Sequence, residues 1–223
     1  MSRPIVCVSP ELTLSEDVAI VGSGGIANKQ LIGYNGVLRN ISRGDRIDNH
    51  TDIIRFNRAP TKGYENIVGS RTTLRVTNNH VFNNNDIANE GYTDQPKDFI
   101  RELKDSRILY IAEDIGPWNN RDSNADPSAD LYLYDWWGTY SALRQAASLP
   151  SDKNLSVGMV MMYLCIASGI TPTLYGFGIE ASDPRDHYWE DRPPASGVHD
   201  IGKEKNILKD LARKKKIRIS ALC

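Results

Sequence analysis

The sequence lacks any long apolar segment. No run of about 18 uncharged apolar residues occurs, which is the length that a membrane-spanning helix needs. The first residues, MSRPIVCVSP, have no apolar centre of the kind found in secretion signals. We therefore expect the chain as it stands neither to span a membrane nor to be secreted. The prediction is a cytoplasmic protein, either in solution or peripheral to a membrane.

Cysteine is also scarce. The three cysteines, Cys7, Cys165 and Cys223, form an odd and widely spaced set. Such a set is not a disulfide framework and favours a reducing compartment. Histidine and cysteine are too scattered for a zinc site, and the sequence contains no D-x-D motif. We expect no metal site.

No charge of one sign dominates. The chain has 27 Lys and Arg against 28 Asp and Glu, for a net charge of −1, so nothing indicates a nucleic-acid partner. A length of 223 residues suits one sizeable domain and is short for two. We predict a single α/β domain over residues 1–223, with residues 1–16 as an N-terminal extension. The oligomeric state is left open.

A glycine-rich turn follows the first predicted strand, Asp17–Val21. The sequence from Gly22 to Ala27, GSGGIA, lets backbone N–H groups approach a phosphate, and it fits the dinucleotide fingerprint G-x-G-x-x-A. One hypothesis is therefore an NAD(P)-dependent oxidoreductase. That fingerprint also needs an acidic residue after the second strand, where this chain has Asn57 and Arg58. Arg58 could instead hold a 2′-phosphate.

The second predicted strand, Ile53–Phe56, ends in a loop with binding potential. Pro60 biases Ala59 away from helix, so the loop should be ordered, and it lies where open α/β sheets bind ligands. The Asn57 amide can both donate and accept hydrogen bonds. Its alternative role is an Asx-turn that closes the loop.

A third candidate is the start of an apolar helix, Val160–Ser168. Ser156 and the Gly158 amide precede it, where unpaired N–H groups and the helix dipole favour an anion. The alternative is an ordinary serine N-cap. The other predicted elements are strands at Leu74–Thr77, Arg107–Ala112, Thr173–Gly178 and Ile217–Ser220, a loop at Ile115–Asp130, and helices at Trp136–Ser148 and Ile201–Lys214.

Aromatic and histidine side chains are the remaining candidates for binding or catalysis. Aromatic residues around 118–140 could stack on sugar rings, but Trp136, Trp137 and Tyr140 are expected to pack in the core. His187 and His199 lie in the last quarter of the chain. A neutral imidazole suits proton transfer near neutral pH, and a protonated one suits a phosphate.

Four stretches together resemble the motifs of the animal-type sialyltransferases, glycosyltransferase family 29. RFNRAPTKGYENIVGSRTT, which begins at Arg55, is similar to the large sialylmotif. The segment from Asn154, NLSVGM, and the later YGFG resemble the small sialylmotif. HYWE, from His187, and a His199 followed after four residues by Glu204 resemble the third and fourth motifs.

The resemblance implies a fold and an activity. The fold is a single Rossmann-like domain of the sialyltransferase variant of the GT-A fold. The activity is an inverting, metal-independent glycosyltransferase reaction without a cofactor, from CMP-sialic acid to a glycan hydroxyl. CMP-Kdo or another CMP-ulosonic acid would serve the same chemistry. A non-catalytic nucleotide- or glycan-binding module is a further alternative, and a trimmed member of this family would come from the Golgi lumen.

The resemblance also assigns residues. It implies His199 as the base and His187 as a phosphate contact. It implies donor contacts for residues of the glycine turn, the strand ends and the motif loops, namely Ser23, Gly24, Asn57, Ser156, Val157, Gly158, Tyr175, Gly176, Phe177, Tyr188 and Glu204.

The chain departs from the family pattern at four positions. Ser23 stands where the family has Asn, and Leu155 and Val157 replace Pro and Thr. Cys165 matches one half of the family disulfide, but Val18 occupies the position of the other, so we expect no bridge.

Overall fold

The structure, a computed structural model, describes residues 3–4, 8–9, 11–24, 42–78, 107–112, 131–179, 187–189 and 199–220. The strands in these ranges are β1 (Arg3–Pro4), β2 (Val8–Ser9), β3 (Thr13–Leu14), β4 (Val18–Val21), β5 (Asp52–Phe56), β6 (Leu74–Asn78), β7 (Arg107–Ala112), β8 (Leu131–Asp135), β9 (Thr173–Tyr175) and β10 (Arg218–Ile219). The helices are α1 (Arg43–Asp48), α2 (Glu65–Val68), α3 (Trp136–Ala146), α4 (Val157–Ala167) and α5 (Ile201–Arg213).

Eight of these strands form one sheet in the order β10-β9-β4-β5-β6-β7-β8-β2. Neighbouring strands are parallel from β10 to β8, and β2 pairs antiparallel with β8. The chain runs outwards from β4 to β8 and then returns to β9 on the other side of β4. Such a reversal opens a crevice at the carboxyl ends of the strands. The α/β class predicted from the sequence is confirmed.

Both faces of the central strands are buried, as a parallel sheet requires. All residues of β4 and β5 are buried. Ile20 and Ile54 share one core with α4, and Ala19 and Ile53 share the opposite core with Val68. The predicted strands after Asp17 and before Asn57 are therefore confirmed.

Helix α4 begins three residues earlier than the predicted start at Val160. Ser156 is the N-cap, and its Oγ accepts the Met159 N–H at 3.4 Å, so the helix starts directly after it. Met161 and Met162 are fully buried, which confirms them as core residues. Cys165 is buried and free, and burial raises the pKa of its thiol.

The sequence interpretation missed several elements. Leu131–Asp135 is a strand, because its alternating leucine and tyrosine residues pair in parallel with β7. Within the predicted extension, β2 joins the edge of the main sheet and β1 pairs with β3. A short helix, α2, interrupts the large motif. The predicted loop over residues 115–130 lies outside the described residues.

The predicted helix from Trp136 ends at Ala146 instead of Ser148. Ser148 has a φ of 49°, a left-handed conformation that cannot continue an α-helix. Tyr140 is 5% exposed and packs in the core, as predicted. None of the described helices is long and apolar enough to cross a membrane.

A buried ion pair ties the amino ends of the strands together. Asp52 accepts hydrogen bonds from Arg107 Nη2 at 2.7 Å and from the Ser15 N–H at 2.6 Å. Arg107 also donates from Nη1 to Thr13 O at 2.7 Å. From the sequence alone, Asp52 is expected to be only a plain strand-edge residue. In the structure, the Asp52 carboxylate forms an ion pair with the half-buried guanidinium of Arg107.

We expect Asp52→Ala to lower the free energy of unfolding by about 2–4 kcal/mol, because it removes the carboxylate that pairs with Arg107 and leaves the Ser15 N–H without its acceptor. Urea denaturation measures the change. Asp152→Ala is the matched control, since its pair with Lys153 is exposed and should contribute less than about 1 kcal/mol. Equal losses in the two variants would contradict this account.

Candidate active site

The turn after β4 packs against the loop after β9. Gly22 donates its N–H to Tyr175 O at 2.7 Å, and Gly24 donates to Gly176 O at 3.0 Å. A Cβ on Gly22 would lie 2.6 Å from Gly176 O, and one on Gly24 would lie 2.9 Å from it. No real Cβ approaches an oxygen so closely, so both positions require glycine. The structure thus brings together the predicted residues Ser23, Gly24, Tyr175, Gly176 and Phe177.

The start of α4 packs against the same loop. A Cβ on Gly158 would lie 2.9 Å from Cε1 of Phe177 and 3.7 Å from Cε2 of Phe56. Phe56 is the last residue of β5. The small-motif helix therefore meets the carboxyl ends of β5 and β9 at one place.

Asn57, directly after β5, has an uncommon backbone conformation. Its φ is 43°, in the left-handed region, and its N–H donates to Val76 O at 2.8 Å. Asparagine tolerates this region better than most residues, although it still costs free energy. Backbone strain of this kind is concentrated at functional sites, which makes Asn57 a candidate for more than a turn.

The third motif crosses this edge of the sheet. Tyr188 donates its backbone N–H to Ser23 O at 2.9 Å, and its hydroxyl donates to Pro60 O. Burial raises the pKa of Tyr188 to about 12, so the phenol stays protonated and remains a donor. The Tyr188 contacts join the glycine turn to the loop that Asn57 begins.

His187 stacks on Trp189 beside these contacts. The two ring centroids are 4.5 Å apart, and the rings are inclined by 12°. Trp189 also meets Tyr188 edge-on at 4.7 Å. The imidazole is therefore held against an aromatic face, one residue from the contact between Tyr188 and Ser23.

The first turn of α4 offers backbone donors. Val157 and Gly158 are its first two residues, so their N–H groups have no intrahelical acceptor. With the positive end of the helix dipole, they form a place that suits an anion. This geometry agrees with the predicted role of these two residues, which stays a prediction.

His199 contacts the segment just before the start of α4. Its Nδ1 is 3.0 Å from Asn154 O, and the two residues form an isolated parallel β-bridge. A carbonyl oxygen only accepts, so Nδ1 carries the proton. In the neutral ring, Nε2 then holds the lone pair and can act as a base. Asp200 follows and caps α5, accepting the Lys203 N–H at 2.9 Å.

Glu204 and Ser156 bind each other. Glu204 Oε1 accepts the Ser156 N–H at 2.7 Å, and Oε2 accepts its hydroxyl proton at 2.8 Å. Glu204 is 6% exposed. Burial raises the pKa of Glu204, while the Ser156 hydrogen bonds and nearby His199 act against that rise. The pair links the fourth motif to the small motif, and its assignment as donor contacts remains a prediction.

The Tyr175 side chain takes part in a series of hydrogen bonds with His50 and Asp17. Its hydroxyl is 3.0 Å from Nε2 of His50, whose Nδ1 lies 2.6 Å from Asp17 Oδ1. Tyr175 is 4% exposed, so its backbone faces the turn while its side chain anchors the strand. Sequence analysis missed His50 because no local spacing marks it.

Within the ranges that the structure describes, no three His, Cys, Asp or Glu side chains form a group that could hold a metal ion. The groups available in this region are the N–H donors at the N-terminus of α4, His187 beside the glycine turn and His199 beside Asn154. They can bind a phosphate ester and accept a proton from a hydroxyl.

Comparison with known proteins gives one family. The sequence model described as glycosyltransferase family 29 (sialyltransferase) matches residues 30–107 and 126–216.

Among similar curated proteins is the mouse CMP-N-acetylneuraminate-beta-galactosamide-alpha-2,3-sialyltransferase 1. It is 30% identical over an alignment of 203 positions that covers 85% of this chain and 57% of that protein. The human protein of the same name is 30% identical over 88% of this chain and 59% of its own length. The chain therefore spans less than two thirds of the length of these relatives.

The fold is also similar to solved structures. A crystal structure of a mammalian sialyltransferase in complex with Gal-beta-1-3GalNAc-ortho-nitrophenol superposes with a TM-score of 0.58 at 23% identity. The match covers 91% of this chain and 68% of that chain. At this identity the likeness concerns the fold.

The buried carboxyl of Glu204 predicts a pH effect on stability. Because burial raises its pKa above the ordinary 4.5, the folded state holds the proton at a pH where the unfolded chain has lost it. The parent should therefore lose stability relative to Glu204→Gln as the pH rises from 4.5 towards neutral. Urea unfolding at several pH values measures the difference.

The control is Glu65→Gln. Hydrogen bonds from backbone N–H groups, including that of Gly63, lower the pKa of the exposed Glu65, so its charge favours the folded state. The free energy of unfolding of Glu65→Gln should not increase relative to that of the parent as the pH rises. If the difference in unfolding free energy between the parent and Glu204→Gln stayed constant with pH, it would contradict a raised pKa of Glu204.

Proposed function

The chain belongs to glycosyltransferase family 29, the sialyltransferases, and we propose that it transfers sialic acid from CMP-sialic acid to a hydroxyl group of a glycan. The observation that carries the proposal is that residues of all four motifs meet around the carboxyl ends of β4, β5 and β9. Tyr188 of the third motif contacts Pro60 of the large motif, and Gly158 of the small motif lies beside Phe56 of the large motif. Glu204 of the fourth motif contacts Ser156 of the small motif.

We propose the sialyltransferase variant of the GT-A fold, with a Rossmann-like sheet, for this domain. The parallel run from β10 to β8 and the reversal between β4 and β9 support it. The TM-score of 0.58 with a solved mammalian sialyltransferase supports it as well.

The donor phosphate would bind at the start of α4. The N–H groups of Val157 and Gly158 point out of the first helical turn, where the dipole favours negative charge. His187 would add positive charge or a proton as CMP leaves. The Ser156 hydroxyl is engaged by Glu204, so in this arrangement backbone donors do more for the phosphate than that side chain.

The acceptor would be activated by His199. Its Nδ1–H is fixed on Asn154 O, which leaves Nε2 to take the proton of the acceptor hydroxyl. The acceptor oxygen then forms a bond to the anomeric carbon as the bond from that carbon to the phosphate oxygen breaks. CMP leaves with the bonding electron pair. One displacement inverts the configuration, and these groups complete it without a metal or cofactor.

The donor class includes close chemical relatives of sialic acid. CMP-Kdo or another CMP-ulosonic acid presents the same cytidylate to the same amides. We further propose a cytoplasmic location, in solution or at a membrane periphery. The support is the free, buried thiol of Cys165 and the valine at position 18, where the family has its other cysteine.

We expect His199→Ala to lower kcat for transfer by about 100-fold or more, because a general base contributes at least this factor. The Kd for CMP should stay within about twofold, since the lost imidazole faces the acceptor. Transfer is followed by CMP release with a glycan acceptor, and CMP binding by calorimetry. Asn206→Ala, an exposed change on α5, should keep the parent values.

Two results would separate the alternatives. Full turnover in His199→Ala would remove the assignment of this residue as the base. A parent protein that binds CMP but neither hydrolyses nor transfers from any CMP-ulosonic acid would be a binding module.

Asn57 can be tested as a ligand contact apart from its backbone strain. Asn57→Gly keeps the left-handed conformation at little cost, whereas Asn57→Ala should lose about 1 kcal/mol of stability. If the amide contacts the donor, both variants should weaken CMP binding by about tenfold or more. If Asn57→Gly bound CMP with the parent affinity, Asn57 would be a turn residue and not a donor contact.

A further inference from the structure

Tyr140, which no motif contains, lies beside the residues that hold His199. It projects from α3 into the core, where it is 5% exposed. Its hydroxyl donates to Asn154 Oδ1 at 3.1 Å and accepts the Leu155 N–H at 3.0 Å. The hydroxyl of a core tyrosine is thus directed at the two residues before Ser156.

The contacts fall on one peptide unit. The Leu155 N–H that donates to Tyr140 and the Asn154 C=O that accepts from His199 Nδ1 belong to the same planar amide. In a trans amide these two groups point in opposite directions. Tyr140 therefore binds the N–H side of a planar peptide group, and the carbonyl on its opposite side orients His199.

The two hydrogen bonds also reinforce each other. When an amide N–H donates, its carbonyl oxygen becomes more negative and a better acceptor. The Leu155 N–H is buried, so without Tyr140 it would lack an acceptor and the peptide would tend to rotate. The Asn154 side chain adds a second anchor on the same hydroxyl.

We propose that Tyr140 is a positioning residue for His199, acting through the Asn154–Leu155 peptide to keep the imidazole proton on Nδ1 and the lone pair on Nε2. The proposal rests on the proposed function of His199 as the base. It assigns a role in the reaction to a helix that carries none of the recognised motifs.

Tyr140→Phe tests it, because this change removes only the hydroxyl. In the full chain with ¹⁵N-labelled histidine, long-range ¹H–¹⁵N spectra report which nitrogen of His199 bears the proton, and His199→Ala identifies its signals. In the parent we expect the Nδ1–H tautomer. In Tyr140→Phe we expect the Nε2–H tautomer to become populated, with kcat about tenfold lower and the KM for CMP-sialic acid within about twofold.

Tyr163→Phe is the matched control. Tyr163 lies on α4 and packs against the same core, and its hydroxyl makes no hydrogen bond among the described residues. It should keep the parent tautomer and the parent kcat. A reduced kcat in Tyr140→Phe with the parent tautomer would overturn the proposal, and so would an equal effect in both variants.

A measurement on the parent covers the case in which Tyr140→Phe does not fold. The Leu155 amide proton should resist hydrogen exchange, because Tyr140 holds it in the core. Free exchange of that proton would overturn the proposal. Full transfer by His199→Ala would instead contradict the proposed base while leaving the tautomer comparison intact, so the two failures are distinguishable.

Discussion

The turn after β4 and the loop after β9 approach each other so closely that no side chain fits between them. Gly22 and Gly24 donate to carbonyl groups of Tyr175 and Gly176, and a single added Cβ would collide with an oxygen. This contact joins the two strands at which the chain reverses direction. Because it fixes the carboxyl ends of these two strands against each other, it sets the position of the motifs that gather around it.

Around that contact, several motif residues stabilise one another through hydrogen bonds. Ser156 and Glu204 share two hydrogen bonds, and Asn154 and His199 share a third. These bonds fix the start of α5 against the start of α4. Glu204 therefore orients the neighbouring motif residue Ser156.

The parts of the fold with strong local signals could be predicted from the sequence. The apolar run Val18–Val21, the strand before Asn57 and the helix after Ser156 each follow from composition and capping. The strand Leu131–Asp135 was missed because its tyrosines were interpreted as part of an aromatic set that could stack on sugar rings. The hydrogen bonds of Tyr140 and His50 could not be predicted for a different reason, since each is made with a residue that only tertiary structure brings close.

The central claim is that a cytidylate binds where these motifs meet. The most direct measurement is a titration of the ¹⁵N-labelled protein with CMP, with NADP in a parallel sample. The account predicts that CMP shifts the amide signals of Gly24, Asn57 and Gly158 together, at one common Kd, and that NADP leaves them in place. Tight binding of NADP at these amides, with no response to CMP, would contradict it.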